Sequence, residues 1–119
     1  MEFVHSTVYT GDLDRSIKFY EEVMGLKLIN RFKPDDLKEI AFMDAGTIQL
    51  EFIQNSNGYT PAIDNQPSWA FEPEDFDAML KFIEESDEYR VEKFVETPNA
   101  RFFFFYDINN VFVQIIEHK

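Results

Sequence analysis

His5 and Glu51 are two side chains of this 119-residue chain whose types suit metal chemistry, since imidazole nitrogen and carboxylate oxygen are good donors to a divalent ion. Shifted on itself by 63 positions with no gap, the sequence lays His5 over Ser68, Asp44 over Asp107 and Glu51 over Gln114. A serine hydroxyl is a poor ligand and a neutral amide brings no charge, so the first half holds donors that the second lacks. Each residue also has a plainer reading. His5 can be a strand residue hydrogen-bonded within a cavity, and Glu51 a carboxylate paired with Lys or Arg or facing cavity water.

The elements that must position these residues repeat with the same shift. Asp44 stands seven residues before Glu51, and Asp107 seven before Gln114, each at the head of an apolar strand-like run. Leu13, Ile17 and Tyr20 fall on Phe76, Leu80 and Ile83; Ile48, Leu50 and Phe52 fall on Val111, Val113 and Ile115. A chain of two similar supersecondary units explains this. In the first unit, alternation over residues 3–9 puts Phe3, His5, Thr7 and Tyr9 on one face. Asp12 caps a helix from Leu13, which Gly25 stops, and strands follow over 26–32, 38–43 and 47–54, the last two joined by a tight turn at Ala45-Gly46. In the second unit a strand over 68–71 precedes a helix from Pro73 to about Glu85, with Pro73 in its first turn. Strands over 90–96, 101–106 and 111–116 complete it, with a hairpin turn at Asn109-Asn110.

The run Phe102-Phe103-Phe104-Phe105-Tyr106 carries aromatic side chains on both faces, so its strand belongs inside a sheet, where it cannot template aggregation. One face of it is expected to wall a ligand cavity and the other to pack beneath a helix. Trp69 and Phe71 alternate away from Ser68 and belong beneath the second helix. Arg101 has two readings: its planar fork holds an anionic ligand group, or it pairs with one of many carboxylates. His118, next to the last residue, is expected to be solvated and without a role.

Composition bounds the function. With 23 acidic against 11 basic residues the net charge is -12, which argues against nucleic acid and anionic membranes as partners and leaves room for a cationic ligand. The absence of cysteine excludes disulfides, thiol nucleophiles and thiolate zinc clusters. No basic-then-apolar leader opens the chain and no apolar run approaches the ~18 residues of a membrane span, so a soluble cytoplasmic protein is expected.

The stretch from Gly11 to Tyr20 (GDLDRSIKFY), followed by Val23-Met24-Gly25-Leu26-Lys27-Leu28, resembles the opening module of the vicinal-oxygen-chelate superfamily. That superfamily groups glyoxalase I, methylmalonyl-CoA epimerase, extradiol dioxygenases and the bleomycin- and fosfomycin-resistance proteins. The resemblance implies an α+β fold of two βαβββ modules forming a cupped mixed sheet. It implies one domain over residues 1–119, with modules 1–55 and 67–119 joined by a loop 56–66 rich in Asn, Gly and Pro. In metal-dependent members one ligand sits on the first strand and one on the last strand of each module, which places the four positions at His5, Glu51, Ser68 and Gln114.

Two functional classes follow. One is a protein resembling the bleomycin-resistance branch, which binds a small and possibly cationic molecule in a groove lined by Phe3, Tyr9, Arg101, Phe103 and Gln114, with no metal or a weakly held Ni, Zn, Mn or Fe ion. The other is a metal-dependent lyase or isomerase resembling glyoxalase I, with Glu51 the best catalytic candidate. Against the second, Gln114 cannot take up a proton at neutral pH where a base is needed. The resemblance further implies a homodimer whose clefts combine His5 and Glu51 of one chain with Ser68 and Gln114 of its partner.

Overall fold

A computed structural model of the chain describes residues 1–58 and 66–119. Most of the expected loop 56–66 therefore lies outside the described residues. The chain divides into two units, Met1–Asn65 and Gln66–Lys119, each built from one helix and one four-stranded sheet.

The first unit runs β1 (His5–Tyr9), α1 (Leu13–Glu22), β2 (Lys27–Asp35), β3 (Lys38–Asp44) and β4 (Gln49–Asn55). Its sheet order is β1-β4-β3-β2, with β1 parallel to β4 and the other pairs antiparallel. Asp12 caps α1 as expected, its carboxylate accepting from the Arg15 N–H at 3.0 Å. At the far end Gly25 takes φ +72°, letting the Leu26 N–H reach back to the Tyr20 carbonyl at 2.8 Å. The Gln54 side chain ties the helix start to the sheet, accepting from the Leu13 N–H at 2.8 Å and donating to the Gly11 carbonyl at 3.2 Å. Leu13, Ile17 and Tyr20 recur at helical spacing and are buried with Val8, Ala41, Met43, Leu50 and Phe52. The Tyr20 and Phe52 rings meet at 5.1 Å.

The second unit runs β5 (Ser68–Phe71), α2 (Phe76–Glu85), β6 (Lys93–Glu96), β7 (Ala100–Tyr106) and β8 (Phe112–His118), in the order β5-β8-β7-β6. Helix α2 begins later than expected. Asp75 caps it by accepting from the Ala78 N–H at 3.0 Å, which leaves Pro73 in the approach and not in the first turn. The aromatic run forms β7, an interior strand as its composition required. Phe76, Ile83, Phe103, Phe105, Val113 and Ile115 are all buried here.

The pairing corrects the gapless overlay of the two halves. His5 opposes Gln49 and Ser68 opposes Phe112, so the first and last strands do correspond at a shift of 63. The third strands do not. Met43 opposes Leu50 and Ala41 opposes Phe52, whereas Phe105 opposes Val113 and Phe103 opposes Ile115. Strand β7 thus matches β3 at a shift of 62: the β7–β8 turn is one residue longer than its counterpart, and the link from β6 one residue shorter. The two changes cancel along the chain, which hid them from a comparison of sequence alone.

An aspartate organises each of these turns. Asp44 accepts from the N–H of Gly46, which has φ +95°, at 2.8 Å. The carboxylate of nearly buried Asp107 accepts from the N–H groups of Asn109 and Val111 at 2.8 and 2.9 Å, while Asn110 takes φ +62°. Asp107→Ala is expected to leave two buried donors unsatisfied and to cost about 2–3 kcal/mol in urea unfolding. Asp44→Ala, at an exposed turn, should cost clearly less.

Candidate functional site

In each unit the helix covers one face of the sheet, and the site residues lie on the other. In unit 1 the register sets Asn30, Phe42, Glu51 and Thr7 side by side across the four strands, with His5 and Gln49 in the next row. Alternation fixes this, because Phe52 and Leu50 turn toward α1 and so turn Glu51 away from it. The sequence-predicted pair is brought together: His5 Nε2 lies 3.5 Å from Glu51 Oε1. The same oxygen accepts from the Thr7 hydroxyl at 2.6 Å, a contact that alternation on β1 could have revealed through the His5–Thr7 spacing. The His5 ring meets the Phe42 ring edge-on at 5.5 Å, and Phe42 stacks on Phe32 at 6.3 Å and 10°. Tyr9 is half-buried in β1 on the alternation face of His5 and Thr7. Phe3 precedes β1 and is exposed, lining a hollow of about 670 Å³ with Val4, Ile29, Asp44 and Ile48.

Unit 2 presents a different surface. Gln114 stands between Phe104 and Ala70, and Ser68 is beside Phe112, donating its hydroxyl to the Phe112 carbonyl at 2.8 Å. Phe104 and Phe112 stack at 4.6 Å and 5°, Tyr106 lies 4.8 Å from Phe112, and Phe102 meets Phe104 edge-on at 5.8 Å. Phe102, Phe104 and Tyr106 are one face of the aromatic run singled out in the sequence, and with Phe112, which was not, they make an aromatic platform around Gln114.

The one-residue shift in β7 corrects two expectations about this face. Phe103 is fully buried on the helix side, 5.4 Å from the Phe76 ring, so it lines no groove. Arg101 shares its side of the strand: its guanidinium lies 4.3 Å over the Phe76 ring and pairs with Glu117 at 2.8 Å and Asp77 at 3.0 Å. Hydrogen bonding to Glu117 and then Asp77 holds its pKa above the ordinary arginine value. It therefore straps α2 to the sheet, the ion-pair reading of the two. His118 is not simply solvated. Its Nδ1 lies 2.8 Å from Glu72, whose other oxygen accepts the His118 backbone N–H at 2.9 Å, and these two bonds, the backbone one larger, lower the Glu72 pKa. Trp69 and Phe71, opposite Val113 and Ile115, take the helix side as expected.

A family model now decides what this arrangement is, matching residues 2–115 under the description Glyoxalase/Bleomycin resistance protein/Dioxygenase superfamily. The chain belongs to that superfamily. Its α+β architecture of two four-stranded mixed sheets and two helices is the glyoxalase/bleomycin-resistance fold. A glyoxalase family protein from Bacillus cereus superposes with a TM-score of 0.81 at 17% identity, over 99% of this chain and 94% of that one. The trypanothione-dependent glyoxalase I of Leishmania major superposes with a TM-score of 0.77 at 23% identity, over 98% and 86%. An antibiotic-binding protein from Streptomyces sp. CB03234 does so at 0.76 and 17%, over 100% and 98%. At such identities the likeness is one of fold. In sequence, 44 residues are 41% identical to a lactoylglutathione lyase of Haemophilus influenzae, covering 36% of this chain and 33% of that protein. A further 40% identity over 52 residues links it to a lactoylglutathione lyase of Arabidopsis thaliana, covering 43% of this chain. The chain spans a third of the first relative and 18% of the second.

Within the superfamily many members hold a divalent metal, and the donor set here fits one poorly. Among the described residues no three His, Cys, Asp or Glu side chains gather at one place. Unit 1 offers His5 and Glu51, while the matching positions of unit 2 offer an amide and a hydroxyl already bonded to backbone. Two neutral oxygens in place of an imidazole and a carboxylate remove charge and a nitrogen donor together. No helix among the described residues is long and apolar enough to cross a membrane.

Proposed function

We propose that this protein is a small-molecule binding member of the superfamily, one domain in which paired modules of a homodimer enclose a ligand cleft, with no metal or a weakly held one. The asymmetry of the two sheet faces carries this reading: polar donors with flanking aromatics in unit 1, and a platform of four aromatic rings around Gln114 in unit 2. Such a platform offers stacking area for a planar apolar ligand. The net charge of -12 disfavours anionic ligands and favours cationic ones.

Elemental analysis of protein purified without chelator, followed by titration with Ni²⁺, Zn²⁺ or Mn²⁺, tests the proposal. Substoichiometric metal and weak binding are expected. One tightly held ion per chain, lost in His5→Ala, would sink it. Light scattering should give a dimer at micromolar concentration, and a strict monomer would remove the shared cleft.

A second reading, a metal-dependent lyase resembling lactoylglutathione lyase, draws on the local identity to two such enzymes and on the 3.5 Å approach of His5 to Glu51. Its test is turnover of the hemithioacetal of methylglyoxal and a thiol with each of those metals. The expected result is no rate above background.

A further inference from the structure

Glu51 is a carboxylate whose side chain is only 12% exposed, yet among the described residues the single basic group within 4 Å of it is the His5 ring. Burying a negative charge this far without a counter-ion costs free energy unless a cation or several donors offset it. One donor is present, the Thr7 hydroxyl on Oε1. Among the described residues Oε2 receives no hydrogen bond, and it is not a sealed buried atom, so it is reachable from the uncovered face. Around the carboxylate stand Phe42 on one side, stacked on Phe32, and the edge of His5. A negative group at the foot of aromatic walls suits an organic ammonium: the carboxylate accepts a charge-assisted N–H bond, and ring faces attract the cation. The Thr7 hydroxyl, which donates its hydrogen bond to Glu51, keeps oxygen lone pairs for a further N–H group. A divalent metal would demand more charged or nitrogen donors than the His5 and Glu51 pair supplies, whereas an alkylammonium needs one carboxylate, neutral acceptors and rings.

We infer that Glu51, Thr7 and Phe42, edged by His5, form a subsite for the ammonium group of an amine ligand, a role that rests on the reading of this protein as a small-molecule binder. Phenethylamine and its neutral counterpart 2-phenylethanol are the probes, titrated into the labelled full chain and followed by amide NMR. The amine is expected to shift the Thr7, Phe42 and Glu51 amides and to bind about tenfold more tightly than the alcohol. Glu51→Gln, which keeps the shape and the Thr7 bond, should bring the amine down to the affinity of the alcohol. Phe42→Leu should weaken the amine roughly threefold or more with no change of charge, and it serves as the second variant should Glu51→Gln fail to fold. Equal affinity for both probes, or an amine affinity unchanged in Glu51→Gln or in Phe42→Leu, overturns the subsite while leaving the binding reading in place. Absence of any shift at those three amides also overturns it, and the binding reading then stands or falls on its own metal and dimer tests.

Discussion

Ser68→His combined with Gln114→Glu is expected to raise the affinity for Ni²⁺ or Zn²⁺ by on the order of 100-fold or more over the natural chain. The change supplies the two donors that unit 2 lacks, an imidazole on β5 and a carboxylate on β8, at the positions corresponding to His5 and Glu51 at a shift of 63. Both strands keep that shift, so the new side chains would stand in their sheet as His5 and Glu51 stand in theirs. Neither change is costly to the fold. Ser68 is exposed at the start of its strand, and glutamate has the shape of the glutamine it replaces. Isothermal titration of each metal into the single and double variants is the measurement. The single variants should gain less than the pair, because a ligand set strengthens with each charge and nitrogen added. An affinity unchanged in the double variant would mean that these four positions do not converge on one ion.

Phe103→Ala is expected to destabilise the protein by about 3–5 kcal/mol, the range for deleting a large aromatic side chain from a closed core. The Phe103 ring is fully buried, packed at 5.4 Å against Phe76 and 6.4 Å from Phe105, so its loss leaves a cavity that neighbouring rings cannot fill. Phe104→Ala, one residue on, removes a half-buried ring stacked on Phe112 and should cost roughly 1–2 kcal/mol. The contrast is informative because the run is nearly uniform in composition. Midpoints of chemical unfolding for the two variants report which face of β7 lies under α2. Equal losses, or a larger loss for Phe104→Ala, would contradict the observed register. Phe104→Ala should also weaken binding of planar ligands that rest on the platform, whereas Phe103→Ala should act on affinity only through stability.

The two predictions depend on different parts of what could be read from the chain. The helix caps at Asp12 and Asp75 sit 63 residues apart and are local devices, set by a carboxylate that finds a backbone N–H three residues on. Yet the second helix starts at Phe76 and not at the expected Pro73, since a proline at a first turn looks the same in sequence as one in the approach. The turns at Gly46 and Asn110 were legible because few residues accept positive φ. His5 and Glu51 were legible as candidates through the family resemblance and the alternation of their strands, while the parallel register of β1 and β4, which sets Thr7 opposite Glu51, came from the structure.

The sequence by itself determined two βαβββ units, the burial of the Leu13, Ile17 and Tyr20 stripe, and a donor pair in one half set against a hydroxyl and an amide in the other. These follow from periodicity and residue type, which act over a few residues. Only the tertiary structure decided which faces the Phe102 to Tyr106 side chains take, that Arg101 is spent on Glu117 and Asp77, and that Thr7 rather than a basic residue holds Glu51. Strand register is the reason. A slip of one residue exchanges the two faces of a strand, and register is set by turn length and by partners on other strands, which in β7 differ from those in β3 by one residue at each end.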